Sequence, residues 1–317
     1  MILDGHSEPI LDLAICPYDS SIIATASGTL NFNINRKDST VRLWKGDRDS
    51  YKSYKAIVNF EDAVVAVLWH PKVENQLFLC CGGTIFLFDL NISSPLIKAS
   101  EASKTWNVTE VEINSISIDR KAQQVAFCDD SGAVGVLDTS TGKTRLFRYK
   151  HANIASKVAY KNGKDGDLLS GSYDSSALIW NTSKGTIGDT LDLSTRQGQS
   201  MAPAFVLSLA SSEDGKKLAV GSGNGSVWLS SSRLSNAREV TAHNGPVVGL
   251  AFVNGRLISC SLYQLCIWKE NLEGVDSTTT IDGLEKANCI ATTSTHVYIG
   301  GFEKNGKGRA VVLPLSL

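Results

Sequence analysis

A chain of 317 residues with a net charge of −1 at pH 7 lacks the basic excess that nucleic-acid-binding and membrane-surface proteins usually carry. Hydrophobic residues make up 42% of the chain, which is enough for a sizeable core. The seven cysteines follow no metal-ligand spacing, so we expect free thiols in a reducing compartment, the cytoplasm or nucleus, with no metal and no cofactor. The N-terminus lacks the apolar run of a signal peptide, and the longest apolar tract, residues 76–88, is too short to cross a bilayer.

The first predicted strands, ILDLAI, IIATAS and STVRLW, alternate apolar and polar residues as half-buried strands do. His6 precedes the first of them, Asp38 lies before the third, and Trp44 ends the third. Residues 28–37, GTLNFNINRK, stand where a short turn is expected. This part of the chain is therefore predicted to carry an enlarged loop.

The same order returns most completely between His151 and Trp180. His151 precedes a first strand, Ser170 lies in a second, Asp174 in the following turn and Trp180 in a third. In one antiparallel sheet these side chains are predicted to form a buried hydrogen-bonded chain, because a buried indole N–H needs an acceptor and a buried carboxylate needs donors. The alternative, a catalytic Ser–His–Asp site, is disfavoured because the hydroxyl would be enclosed beneath Trp180 and no nucleophile elbow is present.

The position of Trp180 recurs along the chain at intervals of about 40–50 residues. The corresponding residues are Trp44, Phe88, Leu137, Ser230, Trp268 and Leu313. The period and the motif resemble the WD40 repeat, which implies a β-propeller in which His151, Ser170, Asp174 and Trp180, and likewise His6, Asp38 and Trp44, have a structural role. The repeats are placed at residues 5–54, 57–100, 105–148, 151–195, 203–240, 243–280 and 284–317.

Residues Met1-Ile2-Leu3 precede the first repeat, and the last repeat is one strand short. We therefore predict an all-β fold: a single seven-bladed propeller over residues 1–317, closed by the N-terminal strand, which completes the last blade. Some repeats depart from the motif. The second has Gly82 at the turn position of Asp, and the sixth has Leu262 there.

Three stretches, EINSISI with CDDSGAVGVLD, KHANIASKVAY and MAPAFVLSLA, resemble the WD repeat-containing protein 53 family in order and spacing. The resemblance implies a non-catalytic scaffold, or a substrate-receptor or adaptor subunit of a cullin-4/DDB1-type ubiquitin ligase. The DDB1 link implies a Trp-Asp-X-Arg motif after a third strand, but the closest stretch here, Phe88-Asp89-Leu90-Asn91, ends in Asn. DDB1 is therefore a disfavoured partner. The alternative function is a peptide or histone-tail reader that binds at a central pocket.

Loops on a rigid scaffold are where binding residues concentrate. The candidate partner-binding residues are Lys37, Tyr173 and Tyr263 near the turns, and Glu8, Trp106, Asn153 and Asn244 in the loops between repeats. Tyr173 is the first choice, because Tyr, Trp and Arg dominate interface energetics. The expected partners are thus other proteins or peptides, with no nucleic acid and no membrane. A basic run over residues 143–164 could bind an acidic peptide or phosphate, but a solvated rim is favoured because strand alternation would spread its side chains over several surfaces.

Overall fold

The computed structural model describes residues 1–28, 38–47, 50–163, 166–194, 203–231 and 233–315. Within these residues the strands form seven sheets, each made largely of antiparallel neighbours. We number the sheets as blades one to seven in chain order. Close contacts group the chain into two compact units, one of Met1–Ile113 with Asp282–Ser316 and one of Asn114–Ile281.

The first unit holds blades one, two and seven. Blade one contains Ile10–Ile15, Ile22–Ser27, Thr40–Gly46, Tyr51–Val58 and Leu96–Lys98. Blade two contains Val64–Trp69, Gln76–Cys81, Thr84–Asp89 and Lys104–Asn107, and a 3-10 turn spans Ala99–Glu101. Blade seven contains Lys286–Thr292, His296–Phe302, Gly308–Pro314 and Ile2–Asp4.

The second unit holds blades three to six, with a 3-10 turn at Leu234–Asn236. Blade three contains Ile113–Ile118, Gln124–Asp129, Val134–Asp138 and Thr144–Leu146. Blade four contains Ala155–Tyr160, Asp167–Ser172, Ser176–Asn181 and Thr186–Asp192. Blade five contains Val206–Ser211, Lys217–Ser222, Ser226–Ser231 and Arg238–Thr241. Blade six contains Val247–Val253, Arg256–Ser261, Gln264–Trp268 and Val275–Thr280.

The second strand of every blade is deeply buried. In blade four every residue of Asp167–Ser172 is buried. Gly171 in this strand lies against Val206 of blade five, and a Cβ there would come within 2.2 Å of the Val206 Cγ1. The glycine therefore permits the close packing of one blade on the next. The fourth strands are largely exposed, and each is the outermost of its blade except in blade one, where Leu96–Lys98 lies beyond it.

The N-terminal strand completes blade seven, as predicted. Ile2 pairs with Val311 and Leu3 with Ala310, and the Leu3 side chain is buried. Asp4 at the end of the strand forms an ion pair with Arg309, whose Nε lies 2.6 Å from the Asp4 Oδ1. The predicted β-propeller class and this closure of the last blade are confirmed.

The fourth strands correct part of the predicted division into repeats. Lys104–Asn107 pairs with Thr84–Asp89, so Trp106 lies in the outer strand of blade two rather than in a loop before blade three. Leu96–Lys98, placed by sequence in the second repeat, pairs in parallel with Tyr51–Val58 of blade one. Exposed outer strands carry weak hydrophobic alternation, which is why the sequence pattern misplaced them. Residues 29–37 lie outside the described residues.

Candidate functional site

In blade four the four predicted side chains form one continuous hydrogen-bonded chain. The Trp180 indole N–H donates to the Ser170 hydroxyl at 2.7 Å, and the Ser170 Oγ lies 2.7 Å from the His151 Nε2. The His151 Nδ1 lies 3.1 Å from the Asp174 Oδ2. The backbone N–H of Ala152 also donates to Asp174, at 2.9 Å. Each donor of the chain thus meets an acceptor, which is the condition for burying polar groups at low cost.

The Ser170 hydroxyl is fully buried, so Ser170, His151 and Asp174 share the residue types of a Ser–His–Asp catalytic triad but not its accessibility. Its oxygen accepts from Trp180 and its proton is directed at His151, leaving no open side for a substrate carbonyl. A catalytic serine needs an exposed oxygen beside oxyanion donors. The arrangement is therefore that of a structural quartet.

Blade one carries a second quartet, in which Thr25 supplies the hydroxyl that the sequence reading did not single out. The His6 Nδ1 lies 3.0 Å from the Asp38 Oδ2, and the His6 Nε2 lies 2.8 Å from the Thr25 Oγ1. The Trp44 indole N–H donates to the same Thr25 oxygen at 2.8 Å. Thr40 also donates to Asp38. The strand position of Thr25, equivalent to that of Ser170, was the available signal.

The quartet carboxylates are held in the charged form. Burial by itself would raise the pKa of Asp174, but hydrogen bonds from His151, Ser176 and the Ala152 N–H together hold it well below its usual range. The same balance of burial against hydrogen bonds lowers the pKa of Asp38. Burial lowers the pKa of His6, and the neighbouring Asp38 offsets this only in part.

Blade six keeps three members of the quartet and replaces the carboxylate. The His243 Nε2 lies 2.7 Å from the Ser259 Oγ, and Trp268 donates to Ser259 at 2.9 Å. Near the His243 Nδ1, at 3.8 Å, lies the Cys266 thiol. Burial lowers the pKa of His243 to about 4 and raises the pKa of Cys266. Both groups are therefore neutral at pH 7, so they do not form a reactive thiolate–imidazolium pair.

Blade two has apolar side chains at the corresponding positions. Phe60 lies four residues before the first strand, where His151 lies in blade four, and its ring contacts Phe88 edge-on with centroids 6.3 Å apart. Strand pairing sets Leu79 at the position of Ser170 and Phe88 at that of Trp180. Phe60, Leu79 and Phe88 belong to one buried cluster. Gly82, with a φ of 54°, occupies the turn.

The first-choice binding residue, Tyr173, forms a flat aromatic pair with Phe205, which the sequence reading did not single out. The two ring centroids are 4.9 Å apart and the planes differ by 18°. Both side chains are half-buried. Backbone bonds hold the two residues in place: the Tyr173 N–H donates to the Ile154 carbonyl at 3.0 Å, and the Gly223 N–H donates to the Phe205 carbonyl at 2.8 Å. This pair, which we call the aromatic platform, lies in the second unit at the end formed by turns and inter-blade loops.

The other candidates differ in accessibility. Tyr263 is 50% exposed in the turn of blade six, and Asn244 is exposed before that blade. Asn153 is exposed, and its side-chain oxygen accepts the Ile154 N–H at 2.8 Å. In the first unit, Glu8 is half-buried, and Trp106 stacks on Phe78 with centroids 6.5 Å apart. Lys37 lies outside the described residues.

Across the described ranges, His, Cys, Asp and Glu side chains nowhere gather in threes that could hold a metal ion. In the same residues, no helix combines the length and the apolar character needed to span a bilayer. All seven cysteines are buried, and none takes part in a disulfide.

Comparison with known proteins agrees with this architecture. The family WD40, described as WD domain, G-beta repeat, matches residues 1–45, the segment that contains His6, Asp38 and Trp44 of the blade-one quartet. The crystal structure of the WD40 beta propeller domain of Doa1 matches with a TM-score of 0.77, covering 98% of this chain and 95% of that chain at 17% identity. The chain therefore has the fold of a seven-bladed β-propeller, and its first 45 residues match the WD40 repeat.

Among curated proteins, the propeller is similar to the WD repeat-containing protein 53 homolog of Dictyostelium discoideum, with 26% identity over 247 residues. The match covers 72% of this chain and 63% of that protein, so it spans less than two thirds of the relative.

Proposed function

We propose that this propeller is a non-catalytic protein-interaction scaffold whose second unit binds partners at the aromatic platform. The observation that carries the proposal is the Tyr173–Phe205 pair, two half-buried rings held flat against each other and fixed through their backbones. Aromatic side chains that are already ordered lose little entropy on binding, and Tyr is enriched among residues that dominate interfaces. Asn153, on the loop before blade four, supplies exposed polar surface to the same unit.

A non-catalytic role is favoured by the state of the nucleophilic groups. Ser170 is enclosed, and burial raises the pKa of Cys81 to about 11, so its thiol is protonated at pH 7. Burial likewise raises the pKa of Cys128 and Cys260. Seven buried cysteines without a disulfide also favour a reducing compartment, the cytoplasm or nucleus.

The alternative function, a peptide or histone-tail reader that binds at the central pocket, has less support, and the aromatic platform does not supply the cage that a modified side chain would need. A cage for a cationic side chain needs aromatic faces arranged around an open space. In the aromatic platform the two rings are 4.9 Å apart and nearly parallel, so each fills the face of the other. A surface for a broader protein contact fits this geometry better.

A ubiquitin-ligase adaptor is the less favoured form of the scaffold role. The closest stretch to a DDB1-binding motif ends at Asn91, whose amide is engaged locally: it donates to Asp89 at 2.8 Å and its oxygen accepts from Asn75 at 3.0 Å. This local turn offers no guanidinium to a partner carboxylate. A pull-down with purified DDB1 tests the role directly, and binding at micromolar concentration would favour it.

The scaffold proposal is tested by affinity purification and mass spectrometry of the wild type, Tyr173→Ala and Phe205→Ala. Tyr18→Ala is the matched control, because Tyr18 is an exposed tyrosine in the first unit. The expected result is that the Tyr173 and Phe205 variants lose a shared set of partners and the Tyr18 variant retains it. Identical partner lists for all four proteins would overturn the proposal.

A further inference from the structure

The fourth strand of blade three, Thr144–Leu146, is short and fully exposed along its length. It lies at the edge of its sheet and pairs only with Val134–Asp138. The side chain of Leu146 is 51% exposed, and Tyr149, just beyond the strand, is 53% exposed. Apolar and aromatic side chains exposed beside an open strand edge are unusual, because proteins normally protect such edges.

The outward backbone groups of this strand are open to a further strand. The Phe147 N–H donates inward to the Val134 carbonyl, and the Lys143 carbonyl accepts inward from the Asp138 N–H. Antiparallel pairing alternates inward and outward groups, so the N–H and carbonyl groups of Thr144 and Leu146 face away from the sheet.

The edge is also strongly basic. Four cations lie on it or beside it, at Lys143, Arg145, Arg148 and Lys150, and all are exposed. Within the described residues none of the four forms an ion pair. The Arg145 guanidinium lies over the Phe147 ring, and that of Arg148 lies over the Tyr149 ring at 5.9 Å. The carboxylate of Asp138 on the neighbouring strand is occupied by its own turn, where it accepts from Ser140 and Thr141.

The basic residues predicted from sequence to be scattered are thus divided into two groups. Lys157 and Lys161 belong to the first strand of blade four or its end and are half-buried. Lys143, Arg148 and Lys150 remain together along the open edge, whereas the Arg145 guanidinium turns toward blade four and donates to the Thr182 carbonyl. This concentration of positive charge favours an acidic ligand.

Blade one shows that an outer edge of this propeller can take a fifth strand. Leu96–Lys98 lies in parallel beside Tyr51–Val58, with Ile97 opposite Ile57, and both isoleucines are fully buried there. An added strand therefore gains backbone hydrogen bonds and covers an apolar side chain at the same time. Blade three offers an open edge at the same place. There the residue in register with Ile57 is Phe147, which is already buried, and the exposed apolar side chain is that of Leu146, in register with Ala56.

We infer that the outer edge of blade three binds an extended acidic segment of a partner protein by strand addition. The segment hydrogen-bonds to the outward groups of Thr144 and Leu146, places an apolar side chain on Leu146, and sets carboxylates against Arg148 and Lys150. Strand addition gives affinity through the main chain and specificity through alternate side chains. This surface is separate from the aromatic platform and does not depend on it.

The test uses the full chain and a short fluorescent peptide in which glutamate alternates with valine, measured by fluorescence anisotropy. A peptide with lysine in place of glutamate is the ligand control. The double variant Arg148→Glu, Lys150→Glu is expected to weaken binding of the glutamate peptide by about tenfold or more, because it places like charges opposite each other. A tenfold loss corresponds to about 1.4 kcal/mol. Lys216→Glu, at an exposed lysine of blade five, and Tyr173→Ala are expected to leave binding unchanged.

The strand geometry has its own test. Leu146→Pro removes an outward N–H but no hydrogen bond within the sheet, so this variant is expected to fold and to lose peptide binding. Leu146→Ala retains the N–H and is expected to bind the peptide more tightly than the proline variant. Hydrogen exchange is expected to show new protection at the Thr144 and Leu146 amides when the peptide is bound. Three binding results would overturn the inference: the lysine peptide binding as tightly as the glutamate peptide, a short single-stranded DNA binding as tightly as the glutamate peptide, or the proline variant binding the glutamate peptide as tightly as the wild type. Unchanged hydrogen exchange at the Thr144 and Leu146 amides would also overturn it.

Discussion

Blades four and two solve the same packing problem with opposite chemistry. Three equivalent positions differ between them: His151, Ser170 and Trp180 in blade four, and Phe60, Leu79 and Phe88 in blade two. In blade four a buried polar chain connects strands and turn through four hydrogen-bonding side chains. In blade two the same space is filled by rings and a leucine, with no polar atom to satisfy. Equivalent positions of these two blades are therefore filled either by a fully paired polar chain or by apolar side chains.

Blade three supports the apolar solution. Phe127 occupies the position of Ser170, and Gly135 on the paired strand makes room for it, because a Cβ there would come within 2.6 Å of the Phe127 ring. Blade six lies between the two solutions, since His243 keeps its hydroxyl partner but meets a thiol instead of a carboxylate. The comparison predicts that mixed states, with some polar members unpaired, are the costly ones.

The largest effect is expected for Trp180→Ala, with Phe88→Ala as its counterpart in blade two. Both aromatic side chains are fully buried, and removing either is expected to cost about 3–5 kcal/mol of unfolding free energy. Trp180→Ala is expected to lower the unfolding free energy more than Phe88→Ala does, because it also removes the indole N–H that donates to the Ser170 hydroxyl. Urea unfolding of both variants checks this, and a smaller loss for Trp180→Ala than for Phe88→Ala would contradict it.

Asp174→Ala is expected to cost roughly 1–3 kcal/mol, because it removes the acceptor of the Ala152 N–H and leaves the His151 Nδ1 only the Ser176 hydroxyl, at 3.0 Å. The reverse change, Gly82→Asp in blade two, is expected to give no stabilisation, since Phe60 offers no N–H to a new carboxylate. Thermal and urea unfolding of the two variants measure the difference. A stabilised Gly82→Asp protein would show that the turn carboxylate acts without the histidine.

A smaller effect is expected from pH. Burial lowers the pKa of His243 from 6.5 to about 4, so between these values the unfolded chain binds a proton that the folded chain does not. Stability is therefore expected to fall by about 1–3 kcal/mol as pH is lowered from 6.5 to 4. His6, whose pKa is also lowered by burial, contributes with the same sign. His243→Gln is expected to reduce the slope of unfolding free energy against pH in this window, and an unchanged slope would exclude His243 as a source.

The propeller could be predicted from sequence because its second and third strands carry strong signals. Trp44, Trp180 and Trp268 mark equivalent strand ends, and the N-terminal strand could be assigned by counting strands. The outer strands could not be placed correctly, since Lys104–Asn107 is polar and half exposed and resembles a loop.

Parts of the candidate site were also beyond the sequence. Phe60 occupies in blade two the position that His151 holds in blade four. A phenylalanine before a strand carries no signal by itself, and only its four-residue spacing to the strand, which it shares with His151, identifies the position. The stacking of Phe205 on Tyr173 joins two different blades, and only the packing of one blade on the next brings the rings together. Cys266 lies beside His243 because it pairs with Ser259, the register position that Leu178 holds opposite Ser170 in blade four.

The most direct test transfers the chemistry of blade two into blade four. Ser170→Leu alone leaves the Trp180 N–H and the His151 Nε2 unpaired in a buried space and is expected to cost about 1–3 kcal/mol or more in urea unfolding. The triple variant His151→Phe, Ser170→Leu and Trp180→Phe copies Phe60, Leu79 and Phe88. The triple variant is expected to be more stable than Ser170→Leu alone, because no polar atom is left unpaired. The result that would contradict this account is a triple variant whose loss of unfolding free energy equals the sum of the losses of its three single variants. The polar core of blade four and the apolar core of blade two would then not be interchangeable.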